Sequence, residues 1–405
     1  MASSRTARTL LVTGSGGAGG TTVATALAVA AARDGARTLL LTGDRTPLTD
    51  PAPPSPGDHG GPAIVRIDQA ASFRTDAVAL QGRIGSLLDL LGAAPLDPEE
   101  ITELPGAQPL ALLRALRDAH TPGPDGAPAW DLVVVDLPPV RDALALLALP
   151  DQLRRYLRRL LPADRQAARA LRPVLAQLAG VPMPGEWAYE AAARADRELA
   201  VAQAVVEDTS TTLALVVEPG PHADQAVREA RTGIALFGHR PAAVVANRLL
   251  PTGSDDPFLA TLGAQQQDHL KALAALCAAD GVPLCELPHL GRDPLDRADL
   301  ARLLPPLAEL AAPGDLVPGR APDPWTVSER LADEGWFLWT LPLPGATREG
   351  LDLVRRGDEL VVDAGGFRRI VPLPSALRRC TVSGAALRDG ALRVRFTPDP
   401  GLWPR

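Results

Sequence analysis

The stretch Leu10–Asp44, LLVTGSGGAGGTTVATALAVAAARDGARTLLLTGD, decides the fold, and its glycine-rich centre admits two readings. Gly14-Ser15-Gly16-Gly17-Ala18-Gly19 spells the dinucleotide pattern G-x-G-x-x-G, while Gly14 to Thr21 spells the phosphate loop G-x-x-x-x-G-K-[ST] with Gly20 in the lysine's place. In both, an apolar strand feeds a flexible turn and then a helix. Asp44, closing the second strand, suits a ribose contact in the dinucleotide reading.

Outward from this unit, apolar runs of strand length recur at 8–13, 37–42, 63–67, 131–135, 211–217, 242–246 and 282–287. Helix-length segments such as 21–34, 222–237 and 263–279 separate several of them. The alternation predicts an α/β fold, a mostly parallel sheet with helices on both faces. The Pro-rich segment 47–62 reads as a loop after the second strand, and 143–206 as an α-helical insertion. Within the insertion Leu153, Tyr156, Leu157, Leu160 and Leu161 form a stripe opposite Arg154, Arg155, Arg158 and Arg159, which reads as a face packed on the domain. Past 311 the texture changes: 312–334 reads as a linker, and the short alternating segments of 335–398 as a small all-β sandwich with its own core.

Composition bounds the function. A chain of 405 residues suits one large domain and a smaller one. No apolar run is long enough to span a bilayer. Cys277, Cys285 and Cys380 form neither C-x-x-C nor a disulfide framework, which fits a reducing cytoplasm. A net charge of −7 and 3% aromatic residues argue against a nucleic-acid surface. Lys271 is the only lysine, so 40 of the 41 basic residues are arginine, whose planar fork does not simply replace a lysine at a phosphate.

Two further motifs weigh against the dinucleotide reading. DLVVVDLPPV (131–140) is a buried-type strand ending in Asp136, as a Walker B strand does, and AAVVANRLLP (242–251) ends in Asn247-Arg248 with a proline following. Together the motifs resemble the arsenical-pump and tail-anchored-protein-targeting (ArsA/Get) ATPases, a branch of the P-loop NTPases, over about 8–311. The family loop G-K-G-G-x-G-K-[ST]-[ST] is matched by Gly14 to Thr22 except at both lysines, and DLPPVRDALALLALP (136–150) resembles its second switch. At the other end, GAALRDGALRVRF (384–396) resembles the close of a small heat-shock (α-crystallin) sandwich.

The resemblance implies ATP or ADP with Mg²⁺ as ligand. Backbone N–H groups of Gly14, Ser15, Gly16, Gly17, Ala18, Gly19, Gly20, Thr21 and Thr22 would cradle phosphates, Thr21 and Asp136 would hold the metal, and Asn247 would face adenine. Asp44 falls where the family has a water-positioning carboxylate. Ser15 and Gly20 stand at the missing lysines, Arg141 is a candidate phosphate contact, and Asp142 brings a carboxylate to the second switch. No cysteine cluster for arsenite is present, nor a C-x-x-C zinc pair. The sequence therefore supports a degenerate family member that binds nucleotide weakly and acts as a binding, regulatory or chaperone-like subunit. It would pair as a homodimer or with an intact paralogue, around a hydrophobic protein client. An active ATPase is the alternative, and a dinucleotide enzyme the third reading.

Overall fold

The computed structural model describes residues 7–49, 61–83, 94–104, 106–124, 126–161, 186–312 and 323–403. Strands β1 (Arg8–Gly14), β2 (Thr38–Thr42), β3 (Ala63–Arg66), β4 (Leu132–Asp136), β5 (Thr211–Val217), β6 (Pro241–Leu249) and β7 (Leu284–Pro288) form one parallel sheet in the order β3-β2-β4-β1-β5-β6-β7. Helices α1 (Gly20–Arg33), α2 (Gln69–Arg83), α3 (Ala107–Ala119), α4 (Val140–Leu160), α5 (Glu186–Glu207), α6 (Pro221–Phe237), α7 (Pro257–Asp280), α8 (Arg297–Ala301) and α9 (Leu304–Ala311) accompany it. The expected α/β order is the one observed, and no described helix is long and apolar enough to cross a membrane.

Burial on both faces explains the unbroken apolar strands. Successive side chains point to opposite faces, so Leu10, Val12, Val134 and Val216 pack under α1 and α9, while Leu11, Val133, Val135 and Leu215 pack under α3, α4 and α6. The Ala-rich α1 is buried from Val23 to Ala32, where small side chains let it lie close on the sheet.

The C-terminal region continues with β8 (Thr326–Arg330), α10 (Leu331–Glu334), β9 (Trp336–Pro342), β10 (Leu351–Arg356), β11 (Glu359–Ala364), β12 (Phe367–Pro372), α11 (Ser375–Arg378), β13 (Cys380–Arg388) and β14 (Ala391–Pro398). Two antiparallel sheets, β13-β14-β9-β8 and β10-β11-β12, bury Trp339, Phe396, Leu360 and Val362.

Three expectations need correction. Residues 326–334, read as linker, are the edge strand β8 and a helical turn, because β8 pairs with β9 from Thr326↔Thr340 to Arg330↔Trp336. The sandwich also shares an apolar cluster with the helical layer rather than standing on a separate core. Phe367 meets Phe237 edge-on at 6.5 Å, the Arg369 guanidinium donates to the Leu236 carbonyl at 2.5 Å, and the Thr232 hydroxyl donates to the Pro344 carbonyl at 2.9 Å. Finally, the stripe on α4 packs only in part: Leu153, Leu157 and Leu161 are half-buried, Tyr156 and Leu160 are exposed, and two arginines of the other face turn inward, Arg154 to Asp196 of α5 at 3.0 Å and Arg155 to Glu359 of β11 at 2.6 Å. Most of the insertion between α4 and α5 lies outside the described residues.

A tight point of the docking is Gly233 on α6, where a Cβ would sit 2.6 Å from Leu144 Cδ1 and 2.8 Å from the Phe367 ring. Gly233→Val should therefore destabilise the chain by about 1–3 kcal/mol, the usual range for overpacking. Urea unfolding followed by circular dichroism measures it, and an unchanged midpoint would contradict this close packing.

Candidate functional site

The register of the central strands assembles the site. Val12 of β1 lies opposite Asp136 of β4, and Gly14 lies opposite Val216 of β5, so the turn leaving β1 emerges between them at the carboxyl edge of the sheet. At Gly14 a Cβ would come within 2.4 Å of the Val216 carbonyl oxygen, which instead accepts the Ser15 N–H at 3.2 Å. Gly19, the N-cap of α1, takes φ 88°, and a Cβ there would strike the Asn247 amide nitrogen at 2.4 Å. No side chain caps this helix. Its first N–H groups are left for an anion.

A cleft of about 300 Å³ opens on one side of the loop, bounded by Gly16, Gly20, Thr21, Asp44, Asp136 and Pro138. Asp136 is buried at the end of β4, where the Thr42 hydroxyl donates to Oδ2 at 2.7 Å and the Thr21 hydroxyl also bonds the carboxylate. Burial pushes its pKa above the ordinary carboxylate value; the hydroxyls of Thr42 and Thr21 oppose that, and the Asp44 charge adds to it. Asp44 closes a turn in which its carboxylate accepts the Thr46 N–H at 3.0 Å and its own N–H donates to Thr42 Oγ1 at 3.0 Å. Thr22 is half-buried in the first turn of α1. Thr21 and Asp136, with oxygen donors side by side, fit a hard divalent cation such as Mg²⁺.

The structure brings Gly14 to Thr21, Asp44 and Asp136 together and leaves Arg141 out. The Arg141 guanidinium donates to Glu229 Oε2 at 2.9 Å and lies 5.1 Å over the Phe367 ring, so it faces the sandwich instead of the loop. Gln225 and Arg141 together hold the Glu229 carboxyl below its ordinary range despite some burial. Asp142 is exposed at the start of α4 and does not line the cleft. Lys271, on α7, pairs with Asp268 at 3.4 Å. Asn247 is buried, and its side-chain N–H donates to the Ala18 carbonyl at 2.8 Å, so one of its two amide donors is taken by the loop.

Sequence reasoning missed two contributors. Thr42 could have been found as the hydroxyl closing the strand just before Asp44. Arg248, whose guanidinium donates to the Gly17 carbonyl at 2.9 Å, had only its place after Asn247 to mark it. On the other side of the loop a second cleft of about 490 Å³ lies among Ser15, Glu218, Arg248, Leu250, Gln266 and His289.

The chain matches the family described as anion-transporting ATPase over residues 7–54 and 64–290. It belongs to the ArsA ATPase family. Residues 334–396 match the HSP20-like domain found in ArsA. An uncharacterized protein of Streptomyces coelicolor is 56% identical over 98% of this chain and 99% of its own length. A Mycobacterium tuberculosis protein is 31% identical over 98% of each chain. At 23% identity, over 92% of this chain and 95% of its own, an Aquifex aeolicus protein is named "Putative arsenical pump-driving ATPase 1". The fold of this family is ATPase-like and nucleotide-binding.

In this ArsA-family chain the raised pKa of Asp136 has a thermodynamic sign. The folded state holds that proton more tightly than the unfolded chain, so stability falls as pH rises from the ordinary carboxylate range through the raised value. Asp136→Asn should melt higher than the parent at neutral pH without nucleotide, with the difference shrinking on the acid side. Thermal unfolding across that range measures it, and an equal or lower neutral melting temperature would contradict it.

Proposed function

We propose that this ArsA-family protein binds ATP or ADP with Mg²⁺ weakly, turns ATP over slowly or not at all, and serves as a binding, regulatory or chaperone-like subunit. One observation carries the reading. Among the described residues lining the cleft there is no lysine, arginine or histidine, and the charged ones are Asp44 and Asp136. Phosphate contacts then fall to backbone N–H groups and the N-terminus of α1, with Thr21 and Asp136 as the residues to hold Mg²⁺. A bound Mg²⁺ supplies charge neutralisation at phosphate oxygens. The protein itself adds little in phosphoryl transfer, where one arginine finger contributes ~10³–10⁵ in rate. The nucleoside would occupy the second cleft, beyond the loop.

The working units in this reading are 1–311 and the sandwich from Thr326 to Pro398, acting together because α4 begins at Val140, just past Asp136, and carries Arg141 and Arg155 to the sandwich. Exposed Tyr156 and Leu160 at the far end of α4 offer apolar contact to a hydrophobic protein client. The second reading is an active ATPase that couples nucleotide state to client binding. It is favoured by the placement of Thr21, Asp44 and Asp136 around one cleft, and it requires a cation from a partner, whether a second copy or an intact paralogue.

Calorimetric titration with Mg·ATP, Mg·ADP and NAD separates these readings. A Cβ at Gly20 meets nothing within 4 Å, so a lysine there is accommodated. Gly20→Lys should tighten Mg·ATP binding by roughly 1.5–3 kcal/mol, the worth of a charge-assisted hydrogen bond. Wild-type turnover at the ~1–100 s⁻¹ of kinases, or tight binding of NAD, would overturn the proposal.

A further inference from the structure

Strand β6 breaks register with β7 between Ala246 and Leu249, and the two residues between them leave the ladder toward the glycine-rich loop. Arg248 adopts φ 59°, a left-handed conformation that residues other than glycine rarely take and that the surrounding structure has to enforce. The neighbourhood holds it there. Gln266, buried on α7, donates to the Arg248 carbonyl at 3.1 Å and accepts the Leu250 N–H at 2.8 Å, and the His289 N–H donates to the Leu249 carbonyl at 2.8 Å.

This strained turn pins two consecutive loop carbonyls. Asn247 Nδ2 donates to Ala18 at 2.8 Å, and Arg248 Nη1 donates to Gly17 at 2.9 Å. The guanidinium is in turn steadied by Glu218 at 3.1 Å and Asp293 at 3.3 Å. Those two carboxylates balance its charge, so its use to the loop is geometric. A turn with glycine at 14, 16, 17, 19 and 20 loses much conformational freedom when it is fixed in one shape. With carbonyls 17 and 18 held on the β6 side, that ordering is met before any ligand arrives.

We infer that the Asn247-Arg248 bulge is a positioning device that preorganises the phosphate loop, with Arg248 as a clamp on the backbone and not as a phosphate contact. This rests on the nucleotide-binding reading above. The test uses the full chain in four forms, wild type, Arg248→Ala, Gly20→Lys, and Gly20→Lys with Arg248→Ala, plus Arg248→Lys in the Gly20→Lys background. Amide order parameters of Gly16 to Gly20 by NMR, without ligand, should fall from about 0.85 toward 0.6 or below in Arg248→Ala, while those of β5 stay rigid. Mg·ADP affinity should drop about tenfold from Gly20→Lys to the double variant. Arg248→Lys, which keeps the charge but loses the fork, should recover at most part of it.

Unchanged order parameters would overturn the clamp. So would an affinity loss without loosening of the loop, or full recovery by Arg248→Lys, since either would make Arg248 a charge for the ligand. If Gly20→Lys binds no Mg·ADP, the nucleotide reading fails, and the order parameters still decide the clamp.

Discussion

The pairing of β1 with β4 on one side and β5 on the other is the constraint from which the rest follows. It puts Asp136 opposite Val12 and the Val216 carbonyl beside Gly14, so the chain leaving β1 has one narrow path. That path admits only glycine at 14 and turns the next residues over the carboxyl edge of the sheet. The same pairing holds Thr42 of β2 within 2.7 Å of Asp136, because β2 is the other neighbour of β4. The cleft is thus a product of strand order before any of its side chains is considered, and the sheet's two buried faces keep that order from slipping by a residue.

Much of this was legible because it is local. A doubly buried strand writes itself as a continuous apolar run, a loop of this kind as clustered glycine, and Asp136 as the first charge after four apolar residues. What escaped reading depends on partners far along the chain. Arg141 could not be assigned from its neighbours, since the groups that claim it are Glu229, 88 residues away, and Phe367 on the sandwich. The stripe on α4 was read only in part for the same reason, since Tyr156 and Leu160 are exposed while Leu153, Leu157 and Leu161 are half-buried. Arg155 lies inward only because Glu359 is there to receive it, 204 residues on, and no period along the helix records that. Segment 326–330 hid because an exposed, polar edge strand carries no apolar alternation to distinguish it from a linker.

Asn247 shows a finer limit. The sequence reading set it at the end of a buried strand facing adenine, yet residue type alone cannot say whether an amide serves a base or a backbone. The contact to Ala18 is decided by the bulge in β6, which swings the side chain onto the loop. Gly19 records the same contact from the other side, since any side chain there would strike Nδ2 at 2.4 Å. Two residues 228 positions apart are therefore constrained by one van der Waals distance, which neither stretch of sequence states.

The position of Arg141 turns on similar energies pulling in opposite directions. Leaving its present place would cost it a half-exposed ion pair with Glu229 of α6, worth up to about 1 kcal/mol, and a contact with the Phe367 ring of the sandwich worth about 0.5–1 kcal/mol. A charge-assisted contact to a phosphate would return about 1.5–3 kcal/mol, so pair energies alone do not hold the guanidinium where it is. Gly366, where a Cβ would come within 2.7 Å of Arg141 Nη1, leaves the space that the guanidinium occupies, and Phe367 beyond it closes with Leu144 on Gly233. With Arg141 paired outside it, the cleft keeps two carboxylates and no cation of its own among its described residues, and that is the charge a phosphate would meet.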